Sequence, residues 1–499
     1  MTLRSNQQRI AGLGPFSALQ YPDGEIVLGL VGAVGTNLDH FEHLLADHLA
    51  RFLFEAKTIR LSGFLQEIVF SSAEVDSQGS SESERLAASM DAAKRVRQLT
   101  QRADILALFA VALMNQARGD RQQPLRRRAH ILRSLKHPDE VQTLRQIYGE
   151  GFFLIGVYSS EKERLRYLQK EAAVPETRAL ELIHRDQEEA DPFGQKTRDT
   201  FHLADVFISL QQEPTQALQR FLDLLFGHPY ITPTADESAM FIAYSSSLRS
   251  ASLSRQVGAV VTSEEGEVIA VGANDVPCFG GGLYWPDAAD QRDHEWGYDS
   301  NDKRRGEIIL DVMRRLRPAD TPDDDLLEEG RKLLRGSQIH DLTEFGRAVH
   351  AEMEALLSCA RNGVSPRRAT LYSTTFPCHN CAKHIVAAGV RRVVYVEPYP
   401  KSRAQELHSD AVAVEEPSPG KVLFEPFVGV SARRYFDLFS MSLSGGYRLK
   451  RKEDGKIVQW NRATARLRVT MSPSSYILRE QAAILDIAQA IAETKEEAL

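Results

Sequence analysis

The sequence predicts an α/β protein with two domains and a shorter C-terminal segment, and three observations carry this prediction. The chain has 499 residues, which is too long for one ordinary hydrophobic core. Short apolar runs alternate with helical patterns through the first half, an order typical of a mostly parallel sheet covered by helices. The same alternation resumes near residue 257, beyond a boundary that we place between about 215 and 235. We therefore predict domains at 1–220 and 235–440, followed by a segment at 441–499.

In the first domain, predicted strands are short apolar runs, and predicted helices carry apolar residues at intervals of three and four. The expected strands cover 25–31, 58–64, 129–135 and 152–157, and the expected helices cover 37–55, 84–99 and 161–189. The stretch 103–113 is strongly apolar, whereas a serine-rich loop is expected at 77–83 and another loop at 191–205.

In the second domain, a helix at 234–250 precedes two strands at 257–261 and 267–271. An insertion at about 276–345 follows, with one expected helix near 303–316 and an acidic run at 323–325 that we assign to a loop. The remaining expected elements are a helix at 351–360, a strand at 369–373, a helix at 381–389, a strand at 392–396, a basic hairpin at 447–469 and a helix from about 476.

Composition excludes several classes of protein. The net charge of -7 argues against a generic duplex-binding protein, which usually carries a strongly basic domain. Four cysteines in a chain of this length form no disulfide framework, so we expect a reducing, cytoplasmic setting. The first residues lack the apolar core of a signal peptide, and we expect no membrane-spanning segment because no apolar run reaches about 18 residues.

Two short motifs carry the chemistry. His350-Ala351-Glu352 and Pro377-Cys378-His379-Asn380-Cys381 together form the H-x-E and P-C-x-x-C pattern of zinc-dependent nucleobase deaminases. His350, Cys378 and Cys381 would hold the zinc ion and leave its fourth position for water, as a catalytic site requires. Glu352 would carry the proton, first as a general base and then as a general acid.

The predicted local structure suits this role, because both motifs open a helix. A positive helix end favours the thiolate forms of Cys378 and Cys381. The alternative is a closed structural zinc site, or a C-x-x-C that binds no metal. Glu352 argues against it, since a structural site has no use for a proton carrier.

A glycine-rich turn between the first strand and first helix is a second candidate site. Backbone N–H groups at such a position attract phosphate. Relative to the phosphate-binding G-x-x-x-x-G-K-[ST] loop, however, Thr36 stands in place of the lysine and Asn37 in place of the Mg²⁺-binding hydroxyl. We predict that Gly32, Gly35, Thr36 and Asn37 form a degenerate phosphate loop, regulatory or structural and not that of a kinase. Simple strand–helix packing remains the alternative.

Charged residues near this turn have two interpretations as well. Arg133, Lys136 and His137 lie at or just after a predicted strand end, and Arg185-Asp186 lies in a charged helix. Such positions face phosphates in kinase-like folds, while the simpler interpretation is a solvated charged face.

The second domain resembles the deoxycytidylate deaminases, and the whole architecture resembles the bacterial anti-phage dCTP deaminases. The latter join a P-loop kinase-like parallel α/β domain to a cytidine-deaminase-like α/β/α three-layer domain. The segments that carry the resemblance are Leu371–Lys383, Ala388–Val390, Val393–Tyr395, Arg255–Val260, Gly272–Asn274, the glycine-rich turn, Tyr399–Ser402 and Leu407–Ala411.

The resemblance implies conversion of dCTP to dUTP and of dCMP to dUMP, draining the nucleotide pool that phage replication needs. It also implies restraint by a small inhibitory RNA and a homo-oligomer, either dimer or hexamer. It assigns the nucleoside sugar to Asn274, and we add Arg255 as a candidate phosphate contact.

Two other functions stay open. One is deamination of a base within RNA or single-stranded DNA, which needs an open basic groove with aromatic stacking. The other is a non-catalytic module that senses RNA or nucleotides. The basic segment 447–469, with Tyr447 and Trp460 interleaved, could meet a triphosphate, an RNA or an acidic subunit, or could be an exposed charged hairpin.

Overall fold

The computed structural model describes residues 23–63, 81–119, 123–187, 189, 191–287, 289–317, 321–335, 337–342, 344–396 and 403–496. The described residues form two compact units. The first contains the chain up to Glu237 and again from Phe427, and the second contains the described residues between Ser238 and Pro426. The segment predicted to stand apart from residue 441 is thus grouped with the first unit. The turn Tyr399–Ser402 lies outside the described residues.

The first unit is built on a six-stranded sheet of order β12-β5-β4-β1-β3-β2. All neighbours in it are parallel except β12 and β5. Its strands are β1 (Ile26–Gly32), β2 (Glu55–Arg60), β3 (Arg128–Arg133), β4 (Phe152–Tyr158), β5 (Val206–Ser209) and β12 (Gly429–Val430). All residues of β1 and β4 are buried, as expected of central parallel strands covered on both faces. The predicted α/β class is confirmed.

Helices cover this sheet. They are α1 (Leu38–Ala50), α2 (Glu82–Leu99), α3 (Ile105–Ala117), α4 (Pro138–Tyr148), α5 (Glu161–Lys170), α6 (Glu176–Gln187), α7 (Thr197–His202), α8 (Pro214–Leu225), α16 (Tyr435–Phe439) and α17 (Pro473–Glu496). The helix predicted over 161–189 is two helices, since Pro175 disfavours helical backbone in the residue before it. The loop predicted over 191–205 contains α7.

The C-terminal segment packs on the first unit through polar and apolar contacts. The indole N–H of Trp460 donates to the Phe226 carbonyl at 3.2 Å. Arg462 pairs with Asp223, and Arg468 is buried. Within the predicted basic hairpin, paired strands are confined to β13 (Lys452–Glu453) and β14 (Lys456–Ile457). Arg462 and Arg468 therefore belong to the packed structure of the first unit, whereas Arg448, Lys450, Lys452, Lys456 and Arg466 are exposed.

The second unit holds a six-stranded sheet of order β10-β11-β9-β8-β6-β7. Its strands are β6 (Gly258–Thr262), β7 (Val268–Ala273), β8 (Thr370–Ser373), β9 (Arg392–Tyr395), β10 (Val412–Val414) and β11 (Val422–Pro426). Its helices are α9 (Ala235–Ser247, which begins in the first unit), α10 (Asp293–Trp296), α11 (Ser300–Leu316), α12 (Asp323–Leu333), α13 (Ala351–Arg361), α14 (His379–Ala387) and α15 (Ala404–Leu407). Strands β8, β9, β11 and β10 run parallel, while β6 pairs antiparallel with β7 and β8.

The insertion contains more helix than expected. The acidic run at 323–325, predicted to be a loop, forms the first turn of α12. Carboxylates are stabilised at the positive end of a helix, so the same residues that suggest a loop suit this start. Ile309 and Met313 of α11 pack against Leu326 of α12 in a small core. No described helix combines the length and apolar character that a membrane crossing requires.

Candidate active site

His350 begins the helix that carries the proton-transfer residue. It caps α13 with extended backbone (φ −68°, ψ 151°), and the preceding Val349 is fixed by an antiparallel bridge to Asp275. The helix approaches β7 so closely that a Cβ on Gly272 would lie 2.2 Å from the Ala351 carbonyl oxygen. Glycine at 272 therefore lets α13 lie directly on the sheet beside the site.

Cys378 begins the second helix of the site. It follows the buried strand β8 and caps α14, where the Cys381 N–H donates to its sulfur at 3.4 Å. The spacing of three residues places both sulfurs on the first turn of one helix. The predicted helix starts at both motifs are confirmed.

The three side chains converge. The Nδ1 atom of His350 lies 3.3 Å from the sulfur of Cys378 and 3.3 Å from that of Cys381. One ligand atom from each residue falls within 4.8 Å of the others. One imidazole and two thiolates match the donor set and number of a catalytic zinc site, which takes three protein ligands and keeps one position open. The residues present thus fit a zinc ion.

Glu352 lies against this cluster and is almost fully buried. One carboxyl oxygen accepts a hydrogen bond from Ser373 Oγ at 3.2 Å, and the other lies 3.4 Å from the Cys381 sulfur. Burial raises the pKa of Glu352, and the nearby Cys378 thiolate raises it further. A raised pKa suits a carboxyl group that accepts a proton and then returns it. Sequence reasoning missed Ser373, whose contact depends on how β8 lies beside α13.

The ionisable ligands influence one another. The hydrogen bond from Cys381 is the largest influence that lowers the pKa of Cys378, and His350 lowers it further against the effect of burial. The contact with Cys378 raises the pKa of His350. The first turn of the C-x-x-C helix therefore holds negative charge readily, as a cation site requires.

The two predicted nucleotide contacts lie close to each other. Asn274 follows β7; its Oδ1 accepts from the Val257 N–H at 2.6 Å and its Nδ2 donates to the Arg255 carbonyl at 2.8 Å. The side chain of Arg255 is exposed, and its positive charge slightly opposes the rise in the pKa of His350 that Cys378 causes. Arg255 therefore contributes positive charge beside the cluster, and Asn274 fixes the backbone that carries it.

The glycine-rich turn of the first unit is closed by a carboxylate. Gly32 ends β1, Gly35 has a left-handed φ of +85°, and Asn37 caps α1 by accepting from the His40 N–H. The Val34 N–H donates to Asp186 Oδ2 at 2.9 Å. Lys136 Nζ donates to Asp186 at 2.8 Å and to the Gly32 carbonyl at 2.7 Å. The partly exposed Lys136 ammonium thus pairs with the buried carboxylate of Asp186 within the turn.

Comparison with known proteins places the second unit in a family. The family described as "Cytidine and deoxycytidylate deaminase zinc-binding region" matches residues 233–397. The deoxycytidylate deaminase of Enterobacteria phage T4 is 33% identical over 162 residues, which are 32% of this chain and 77% of the phage protein. The chain belongs to the deoxycytidylate deaminase family. It is accordingly an enzyme of the hydrolytic deaminase class.

Other relatives cover different shares of the chain. The mouse deoxycytidylate deaminase is 23% identical over 206 residues, 41% of this chain and 81% of the mouse protein. ComE operon protein 2 of Bacillus subtilis is 44% identical over 72 residues, 14% of this chain and 38% of that protein. Among solved structures, the dCMP deaminase of cyanophage S-TIM5 in complex with dCMP and dUMP is 20% identical with a TM-score of 0.23, covering 40% of this chain and 100% of that chain.

Proposed function

We propose that the second unit deaminates deoxycytidine nucleotides at the cluster of His350, Cys378, Cys381 and Glu352, converting dCMP to dUMP and dCTP to dUTP. The observation that carries this proposal is that a buried carboxyl group lies against three side chains able to bind zinc. His350 Nδ1 lies 3.3 Å from the Cys378 sulfur, and the Glu352 carboxyl group lies 3.4 Å from the Cys381 sulfur and 3.2 Å from Ser373 Oγ. Family membership supports the nucleotide class of the substrate, since the related phage T4 protein is a deoxycytidylate deaminase.

Each side chain of the cluster has a defined task in this reaction. Zinc held by His350, Cys378 and Cys381 would lower the pKa of a water molecule towards neutrality. Glu352 takes a proton from the water that attacks C4 of the cytosine ring. It gives this proton to the ring nitrogen N3, then takes the second proton from the new C4 hydroxyl group and gives it to the amino group, which leaves as ammonia while C4 becomes a carbonyl. Ser373 orients the Glu352 carboxyl through the hydrogen bond to Oε1.

Nucleotide recognition is assigned to Arg255 and Asn274. The exposed guanidinium of Arg255 lies near enough to influence His350, and it supplies positive charge for the phosphate. Asn274 already binds the backbone at Arg255 and Val257 through one proton and one lone pair of its amide. The remaining amide proton and lone pair are the groups that would meet the sugar hydroxyl.

The wider role that we propose is depletion of deoxycytidine nucleotides in defence against phage, in the cytoplasm, by a homo-oligomer (dimer or hexamer) held in check by a small RNA. The sequence resemblance to anti-phage dCTP deaminases supports it. The net charge of -7 favours free nucleotides over the alternative substrate, a base in RNA or single-stranded DNA.

For the first unit we propose a domain of the nucleotide-kinase-like type that regulates without transferring phosphoryl groups. Thr36 stands where the catalytic lysine of a phosphate loop would stand. The carboxylate of Asp186 accepts from the loop N–H of Val34, a donor that would otherwise be available to a phosphate. We expect no ATP hydrolysis above background by the full-length protein, and steady release of inorganic phosphate would contradict this assignment.

Ammonia release from the zinc-loaded full chain tests the main proposal. dCMP, dCTP, CTP and single-stranded DNA are supplied separately, with Glu352→Ala as the control variant. Release from dCMP or dCTP that disappears in the control supports deamination of free nucleotides at this site. Release from DNA alone favours the polymer-editing alternative, and equal rates in parent and control contradict the assignment of Glu352.

A further inference from the structure

The C-terminal helix α17 is mostly apolar on two opposite faces. One face packs on the first unit, and its buried residues are Tyr476, Glu480, Ala483, Ile487 and Ala490. These residues follow one another at intervals of three and four, as residues on one side of a helix do. A surface helix with one buried face usually carries charged and polar residues on the other. The outward face of α17 departs from this rule.

The outward face of α17 is uncharged over about four helical turns. We define it by its exposed residues, which are Leu478, Gln481, Ala482, Leu485, Gln489 and Ala492. The two leucines are 65% and 70% exposed, although leucine is among the residue types most often buried. They lie seven residues apart, so two turns of helix align them along the same face. A single exposed leucine is ordinary, but two aligned leucines on an uncharged face mark an interaction surface.

Two opposite charges flank the outward face on the same side. Arg479 and Asp486 are exposed and lie seven residues apart, each one position after a leucine. Arg479 donates one N–H to the Gln146 carbonyl at 2.7 Å, and Asp486 lies 3.6 Å from Arg102 Nη1. A guanidinium has five N–H donors and a carboxylate has about four acceptor sites, so both side chains retain groups for a further partner.

A second copy of this chain is complementary to the outward face. In a two-fold symmetric contact the same surface meets itself, so every contact between two different residues occurs twice. Two antiparallel α17 helices with the axis near Ala482 place Leu478 opposite the partner's Leu485 and Arg479 opposite the partner's Asp486. In an antiparallel pair, each flank faces the same flank of the partner, which brings the two opposite charges together. A parallel pair would instead bring this charged flank against the uncharged flank of the partner.

We propose that the outward face of α17 binds the outward face of a second copy in an antiparallel contact, with Leu478 against the partner's Leu485. Ala482 lies near the two-fold axis, where its small side chain permits close approach of the two helices. The contact is formed by first-unit residues alone. It rests on the homo-oligomer proposed above but not on deamination, which ammonia release tests separately.

Cysteine cross-linking of the zinc-loaded full chain tests both the contact and its register. Each new cysteine is placed in a Cys278→Ala protein, because the thiol of Cys278 is only half-buried. Disulfides are formed with oxidised glutathione and detected on non-reducing gels. The variants are Leu478→Cys, Ala482→Cys and Leu485→Cys. Leu180→Cys is the matched control, at a leucine of α6 that is 42% exposed.

We expect a cross-linked dimer from Ala482→Cys alone and from a mixture of the Leu478→Cys and Leu485→Cys proteins after subunit exchange. Neither leucine variant alone should cross-link, nor should the control. The two copies of residue 478 would lie about 11 Å apart along the helices, because each is about three to four residues from the axis at about 1.5 Å per residue. A disulfide needs Cα atoms within about 7 Å.

Three results would overturn the proposal. Cross-linking of each leucine variant with itself would indicate a parallel contact. Cross-linking of the control as readily as of Ala482→Cys would indicate random collision. Absence of any cross-linked dimer, in a protein that light scattering shows to be an oligomer, would refute this contact and leave the homo-oligomer standing. A monomer by light scattering would refute both, and neither result bears on deamination.

Sedimentation velocity gives a second, independent measurement. The double variant Leu478→Glu with Leu485→Glu should raise the dissociation constant of the contact by about a hundredfold or more, because the contact would bury carboxylates without partners. Leu180→Glu should assemble as the parent does. Equal assembly of the parent and the double variant would contradict the proposal. Circular dichroism checks that each variant folds, and if the double variant does not, the cysteine variants decide.

Discussion

Two turns in this chain have the same local design and opposite outcomes. The turn after β8 and the turn after β1 each join a buried strand to the start of a helix. In the second unit, the turn presents Cys378, whose sulfur lies 3.3 Å from His350 Nδ1. In the first unit, the turn presents the backbone N–H of Val34, which Asp186 already holds. The chemistry of a site made of side chains can be recognised from the residue types in the sequence. A site made of backbone N–H groups depends instead on whether a distant side chain already binds those groups.

The largest effect is expected from removal of a zinc ligand. Cys378→Ala leaves two protein ligands, so we expect loss of bound zinc and of essentially all ammonia release. Elemental analysis and the ammonia assay on the same preparation measure both. Cys278→Ala is the matched control, since its thiol lies 3.2 Å from the Gly281 carbonyl and outside the cluster. A Cys378→Ala protein that retained one zinc per chain would show that the metal site lies elsewhere.

Glu352→Gln separates proton transfer from metal binding. The amide keeps the shape of the side chain but cannot accept the proton from water, so turnover should fall about 10²- to 10⁴-fold. Zinc content should equal that of the parent. The control is Glu354→Gln, two residues along the same helix, where the carboxylate pairs with Arg361 instead. Equal losses in the two variants would refute a special role for Glu352.

The candidate site could be predicted because its ligand types and spacing lie within two short segments. His350, Glu352, Cys378 and Cys381 are placed together as expected. Ser373 could not be predicted, because its contact with Glu352 joins a strand to a helix and a lone serine carries no pattern. The same limit applies to Asp186, which lies 152 residues from its partner Val34.

The same limit applies to the fold: elements set by local composition could be predicted, and those set by contacts between distant residues could not. Apolar runs that alternate with helical patterns predict both sheets, since a buried strand is itself a short run of apolar residues. The helices α7 and α12 were missed because their polar residues look like those of loops, while capping and packing decide their structure. The return of the chain to the first unit at Phe427, within the predicted second domain, depends on contacts such as β12 with β5, between residues 206–207 and 429–430. No periodicity reveals pairing over that distance.

Asp186→Asn tests the closed turn of the first unit. The buried carboxylate accepts from Val34, Lys136 and Thr197, and loss of its charge leaves the Lys136 ammonium without its partner. We expect the free energy of unfolding of the first unit to fall by about 3–5 kcal/mol. Urea unfolding is followed by Trp460 fluorescence after Trp285→Phe and Trp296→Phe, since these two tryptophans belong to the second unit.

The control for Asp186 is Asp199→Asn, whose carboxylate is half exposed and 3.6 Å from Arg198. It should change stability by less than about 1 kcal/mol. Unchanged zinc content in Asp186→Asn would show that the two turns act independently. A stability equal to the parent's would mean that the turn does not depend on the carboxylate, and would remove the contrast drawn between the two turns.

The smallest expected effect depends on pH and concerns Glu25, which anchors the C-terminal helix of the first unit. Burial alone would raise its pKa, but His130 and Arg118 outweigh burial and hold it at about 2. Because this folded-state pKa lies below the usual 4.5, the stabilisation is complete above about pH 4.5 and is lost as pH falls towards 2. The shift corresponds to about 3 kcal/mol at pH 7.

Glu25→Gln should therefore lower the free energy of unfolding of the first unit at pH 7, measured by the same Trp460 fluorescence, and the difference from the parent should shrink between pH 4.5 and 2. Glu55→Gln, at an exposed carboxylate beside Arg128, should show no such pH dependence. A difference that stayed constant down to pH 2 would mean that Glu25 acts through its shape and hydrogen bonds, and not through its charge.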